Sequence, residues 1–381
     1  MARALYIHWP FCLAKCPYCD FNSHVRQNVD GSAWQSALLQ DLAHEADRAP
    51  RERLTSIFFG GGTPSLMEPK LVEALLGRAE DLFGFAQDVE ITLEANPSSV
   101  ESERFKALAQ AGINRVSLGV QSFDDAVLRF LGRLHSAREA QQALDLAQAT
   151  FDRVSFDLIY ARPGQTERAW RAELGEALAR QTEHLSLYQL TIEPGTRFAT
   201  EVRRKTFEPL DDDAAAALYD VTADMTAQAG LPAYEISNYA RPGAESRHNL
   251  TYWRYQDYFG IGPGAHGRRG GVATLRHRKP ENYLSAVARQ GHGLAEETSL
   301  SSADRLAEAL VMGLRLREGV DLIALADRFG RDRLFDDTKL ALHIGNGLIA
   351  RRGGRVAVTA RGMPLLDALL ADIVSADLIA A

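Results

Sequence analysis

The chain has 381 residues, enough for two or three domains or for one large barrel with an appendage. Its 46% hydrophobic and 24% charged residues are those of an ordinary globular protein, and its formal charge of -7 weighs against a dedicated nucleic-acid binder. No run approaches the roughly 18 consecutive apolar residues of a membrane span. The opening MARALYIHWPFC has neither a long apolar core nor a small-residue cleavage site, and reads as the mature start of a cytoplasmic protein.

In chain order, runs rich in Val, Ile, Leu and Phe alternate with amphipathic stretches. Strands are expected at Leu5–Trp9, Ser56–Phe59, Val89–Glu94, Arg115–Leu118, Arg153–Ile159 and His184–Leu190. Helices are expected at Ser32–Asp47, Pro69–Phe83, Glu101–Ala111, Ala137–Thr150 and Glu167–Arg180. Such alternation means βαβ units and a parallel sheet. Six units over residues 1–240 fit an open (β/α)6 partial TIM-like barrel, although periodicity alone does not separate it from a doubly wound sheet. Residues 241–300, rich in Gly, Arg and aromatics, read as a connector with short strands. Residues 301–381 read as a mainly helical, winged-helix-like domain. Its helices are Asp304–Arg317, Asp321–Phe329, Leu334–Ile349 and Pro364–Ala376, with a strand at Arg355–Thr359. It has no dense basic recognition helix, so a lid or partner-docking role is expected rather than nucleic-acid binding.

All three cysteines lie within eight positions, as Cys12, Cys16 and Cys19 in CxxxCxxC just after the first strand. Three thiols cannot all pair, and without an export signal a disulfide framework is a poor reading. Lys15, Pro17 and Asp20 make the segment a loop, which argues against inert core thiols. A structural zinc site wants four protein ligands, and no second CxxC or HxxxH follows; zinc with a distant fourth ligand stays an alternative. Iron–sulfur clusters usually take four cysteines too, so three imply a [4Fe–4S] cluster with one iron open to another ligand.

Other conspicuous residues fall at the carboxyl ends of the expected strands, where parallel β/α folds place function. They are Gly60-Gly61-Gly62-Thr63-Pro64, Glu94, Gln121 and Asp157. Taken singly, the glycines read as a turn and each carboxylate as a helix cap or a solvated charge.

Taken together, CxxxCxxC after a first strand and GGGTP after a second resemble the radical S-adenosylmethionine (SAM) superfamily. The resemblance implies a [4Fe–4S] cluster on Cys12, Cys16 and Cys19, with SAM chelating the open iron. It also implies cleavage of SAM to a 5′-deoxyadenosyl radical, so that the cofactors carry the hard chemistry and no catalytic side chain is singled out. From Tyr6 to about His266 the chain is similar to the anaerobic coproporphyrinogen III oxidase family. That similarity implies SAM contacts at Tyr6, Tyr18, Gly61, Gly62, Thr63, Glu94, Gln121, Arg133 and Asp157, with Ile261 a weaker apolar candidate.

Two departures weigh against porphyrinogen decarboxylation, which stays as the alternative function. Phe21 stands where the oxidase has a fourth cysteine, and the cluster motif begins eleven residues after Met1, where the oxidase has an N-terminal extension. His248-Asn249-Leu250-Thr251-Tyr252-Trp253 resembles the HNxxYW motif of the haem chaperone branch of the family. The resemblance implies haem bound at or near His248 and passed to haem-requiring respiratory proteins, at the inner face of the membrane through membrane-associated partners. Neutral imidazole suits haem iron, Asn249 is placed to orient it, and Tyr252 and Trp253 offer flat surface. Arg241, Arg247 and Arg254 suit propionates. Without the resemblance, HNLTYW reads as an aromatic-packed strand edge with a satisfied histidine. His266 is a second candidate ligand. Oligomeric state is not readable.

Overall fold

The β/α units form where their apolar residues recur. In the computed structural model, which describes residues 3–49, 52–331 and 334–374, the expected strands appear with slightly longer bounds. They are β1 (Ala4–Trp9), β2 (Leu54–Gly61), β3 (Phe85–Ala95), β4 (Arg115–Gln121), β5 (Arg153–Tyr160) and β6 (His184–Gln189). All six are parallel neighbours, and their inner residues are almost fully buried, as parallel strands covered on both faces should be. Between them run α1 (Gly31–Arg48), α2 (Pro69–Phe83), α3 (Ala137–Thr150) and α4 (Glu167–Ala179), each with its apolar stripe on the sheet. Capping residues set the helix starts. Asp30 accepts from Ser32 and Ala33, and Ser136 forms a capping box with Glu139.

One expected helix breaks. Glu101–Ala111 is two short helices, Ser99–Ser102 and Phe105–Gln110, because the Glu101 carboxylate is turned inward to Ser65 and the Asn96 backbone.

The segment 241–300 does contain short strands, and they lengthen the main sheet. With β7 (Asn238–Ala240), β8 (Tyr258–Ile261), β9 (His266–Arg269), β10 (Val272–Arg276) and β11 (Leu294–Ser299), the order is β11-β10-β9-β8-β1-β2-β3-β4-β5-β6-β7. Strand β8 is parallel to β1. The sheet does not close, leaving β7 and β11 as its edges.

HNLTYW is helical, not a strand edge: α5 (Arg247–Trp253) is capped by the Ser246 side chain. It lies against the amino ends of the barrel strands. There Glu90, at 3% exposure, accepts from the backbone N–H groups of Arg247 and His248 at 2.9 and 3.3 Å, and from the Arg153 guanidinium at 2.5 Å. The cysteine loop is at the opposite, carboxyl end.

The C-terminal part has its own core of Leu306, Leu310, Leu340, Val356 and Ile373. Helices Ser302–Gly313, Leu322–Phe329, Asp337–Gly345 and Leu366–Ile373 surround a three-stranded sheet of Val320–Asp321, Arg355–Val358 and Ile349–Arg352. Helices with a small hairpin match the winged-helix-like expectation. The last two residues of the helix expected at Pro364–Ala376 lie outside the described residues. Among those described, no helix is long and apolar enough to cross a membrane.

Candidate functional site

At the carboxyl ends of β1–β5 the chain builds a cavity of about 190 Å³. Its lining brings together Cys12, Cys16, Cys19, Tyr18, Gly61, Gly62, Thr63, Glu94, Gln121, Arg133 and Asp157. The glycines are required by close approach. A Cβ at Gly62 would stand 2.7 Å from the Phe11 carbonyl oxygen in the cysteine loop, and one at Gly61 would meet the His8 ring at 2.5 Å. The two loops are therefore in backbone contact, and the Thr63 hydroxyl donates to the Cys12 sulfur at 3.4 Å.

Arg133 ties the rest together. Its guanidinium reaches the Cys16 sulfur and the Tyr18 hydroxyl, both at 3.4 Å, the Gly119 carbonyl at 2.9 Å, and Asn96 Oδ1. Asn96 in turn donates to Thr63, and its backbone N–H donates to Glu101 at 2.8 Å. This network of Asn96, Glu101 and Ser65 behind the glycine loop was missed by the sequence reading. Nothing in spacing marks Glu101 as anything but a solvated helix residue.

Two carboxylates face the cavity. Burial first, and repulsion from Asp157 second, push Glu94 up to about 8, against one hydrogen bond from the Gly61 N–H at 3.1 Å. Burial pushes Asp157 up to about 6, opposed by hydrogen bonds from Ser186 and Ser117. Burial likewise pushes the Cys12 thiol up to about 11 and raises Cys19. Gln121 sits at φ 68, and its buried Oε1 has no hydrogen-bond partner among the described residues. Cationic or donor-bearing material is what such a cavity wants: buried carboxylates, an orphan amide oxygen and three thiols that ligate only when deprotonated.

A second cavity, of about 430 Å³, adjoins the first, and Phe21, Gly61 and Glu94 line both. Tyr6 lines this second cavity rather than the first. Its hydroxyl is 2.9 Å from His8 Nδ1. Half-buried Tyr252 and Tyr258 line it too, as do the exposed His266 and Arg278.

Ile261 is at neither cavity. It is fully buried in β8, paired with Ile7, because the strand packs it into the core.

His248 is separated from the cysteines and 1% exposed. Its Nδ1 is 3.3 Å from the Ser56 hydroxyl and its Nε2 is 2.8 Å from the Tyr252 hydroxyl, and the ring stacks on Phe58. Burial depresses its pKa to about 3, so the ring is neutral. It stands one hydrogen bond behind the second cavity, through Tyr252.

The other residues of the motif point elsewhere. Asn249, expected to orient His248, donates to the Tyr234 hydroxyl at 3.3 Å. Trp253 lies under the Arg315 guanidinium on the C-terminal side. Arg247 and Arg254, expected to hold propionates, are paired with Asp88 and Glu318, and Arg241 lines neither cavity.

Comparison with known proteins is consistent with this geometry. Residues 6–175 match the family model of the Radical SAM superfamily, and residues 300–365 match that of the HemN C-terminal domain. The bovine protein "Radical S-adenosyl methionine domain-containing protein 1, mitochondrial" is 38% identical, over 98% of this chain and 87% of its own. "Heme chaperone HemW" of Haemophilus influenzae is 37% identical over 96% of both chains. That of Escherichia coli is 36% identical over 96% of this chain and 97% of its own. The solved structure of coproporphyrinogen III oxidase (HemN) from Escherichia coli superposes with a TM-score of 0.81. It covers 97% of this chain and 89% of that one, at 24% identity, and supports the fold.

Proposed function

The chain belongs to the radical SAM family that includes the proteins named Heme chaperone HemW, and from that membership we propose that it is a haem chaperone: it binds haem and delivers it to haem-requiring proteins. The observation that carries the reading is the second cavity. It is walled by Tyr6, Phe21, Tyr252 and Tyr258, opens beside the cysteine loop, and ends on a residue of HNLTYW. Its volume is in the range of ligand pockets, and aromatic walls suit a flat macrocycle.

The first cavity fits the group the family implies. Cys12, Cys16 and Cys19 would hold a [4Fe–4S] cluster, and Glu94, Gln121, Asp157 and the glycine loop would hold SAM. When bound, the pair supplies one-electron chemistry at a cleavable sulfonium. The chain's own part is positional. Arg133 fixes Tyr18 and Cys16, the Asn96–Glu101 network fixes the Thr63 loop, and Glu94 offers a carboxylate whose ionised form needs a cationic partner. Tyr252 floors the haem cavity, with His248 holding its phenol in place. Respiratory proteins as recipients, and a cytoplasmic site at the inner membrane face reached through them, complete the proposal.

Anaerobic haem titration of the cluster-reconstituted protein tests it. Saturation near one haem per chain is expected. Absence of saturable haem binding, with CO₂ released from coproporphyrinogen III and 5′-deoxyadenosine formed from SAM in step with it, would establish the radical decarboxylase instead.

A further inference from the structure

Resting on the haem-binding reading, we infer that the iron ligand is His266, on the wall of the second cavity, and that Arg278 beside it holds a propionate. The histidines near the cavity differ in what they have free. His248 has both ring nitrogens engaged and is buried. His8 is engaged twice as well, by the Tyr6 hydroxyl and the Asn22 carbonyl, each at 2.9 Å. His266 is exposed and lines the cavity, and its ring makes no hydrogen bond among the described residues. With neither ring nitrogen engaged, an imidazole lone pair is open to the cavity, as ligation of haem iron requires.

Arg278 is exposed on the same cavity, and its guanidinium is paired with no carboxylate among the described residues. An unpaired guanidinium next to a free imidazole suits a ligand carrying both a metal and carboxylates.

The two groups are held in register from the cysteine loop. The Asn22 side-chain amide donates to the Pro263 carbonyl at 2.8 Å and to the Arg278 carbonyl at 3.0 Å. It packs so closely under Gly264 that a Cβ there would sit 2.5 Å from the amide nitrogen. One residue thus pins the turn that presents His266 and the backbone of Arg278 to the segment carrying the cluster ligands. That places bound haem at the mouth of the barrel, next to the cluster cavity and accessible to an acceptor.

The test uses the full, cluster-reconstituted chain and two probes, haem and iron-free protoporphyrin IX. His266→Ala is expected to weaken haem binding at least tenfold and to move the Soret band, while protoporphyrin affinity changes less than twofold. Added imidazole restores the band. Arg278→Glu weakens both probes and leaves the Soret position in place. A Soret band unmoved in His266→Ala overturns the assignment and leaves haem binding standing. No saturable haem binding by the wild type removes the reading beneath it. Because His266 and Arg278 are both exposed, loss of fold does not confound the variants.

Discussion

At the residue scale, the cavity around the three cysteines is built from groups that are costly to bury alone. Glu94 shows it most clearly. Its folded pKa, about 8, lies above the unfolded value, so the protonated form is favoured in the fold. Below about pH 4.5 the group carries no penalty. As pH rises from there to about 8, the unfolded chain ionises first and the ligand-free protein loses stability. Glu94→Gln is therefore expected to raise the melting temperature of the ligand-free protein at pH 8 by roughly 5 °C and to flatten its fall between pH 5 and 8, while SAM binding weakens at least tenfold. An unchanged pH profile in the variant would show that Glu94 is not the group titrating. Gly62→Ala probes the opposite kind of constraint. Its Cβ must displace the Phe11 backbone, so iron and sulfide content after reconstitution should fall by more than half with the barrel still folded by circular dichroism. The cysteines, glycines and carboxylates were legible because their type and spacing carry the chemistry. Glu101 and Asn22 were not, because their partners lie 36 and 241 residues away, and His266 was legible only as a candidate, because the cavity it lines exists only in the folded sheet.

At the element scale, α5 closes the amino end of the barrel, and the hinge of that closure is Glu90. It holds the first two N–H groups of the helix together with Arg153, and Arg115 lies 4.0 Å away. Glu90→Ala leaves buried guanidinium charge and helix donors without partners, a loss of about 3–5 kcal/mol, read as a lower urea midpoint. A change under 1 kcal/mol would mean that the helix docks by its aromatics alone. The strands and helices of the six β/α units were legible because buried parallel strands are continuous apolar runs and the helices carry period-3.6 stripes. The α5 helix was not. Seven residues with two aromatics and a Thr give no stripe to count, and its helical state depends on Ser246 and Glu90 outside the motif. Strand β11, Leu294-Ala-Glu-Glu-Thr-Ser299, is almost wholly exposed, and so lacks the alternation that marks a half-buried strand.

At the scale of the whole molecule, the two ends of the barrel divide the work. The carboxyl end holds the thiols, the cavity around them and the adjoining second cavity; the amino end is sealed by charge pairs and α5. The HNLTYW motif connects them, since His248 sits in the seal and Tyr252 reaches the cavity. Haem transfer decides whether the protein is a chaperone. Full-length protein carrying its cluster and one haem is mixed anaerobically with a haem-free respiratory acceptor in vesicles, and the acceptor's haem spectrum is followed. Acceptor haem is expected to appear in step with loss of the donor's Soret band, faster than from free haem at equal concentration. Haem retained by the donor, or transfer no faster than from solution, would contradict it.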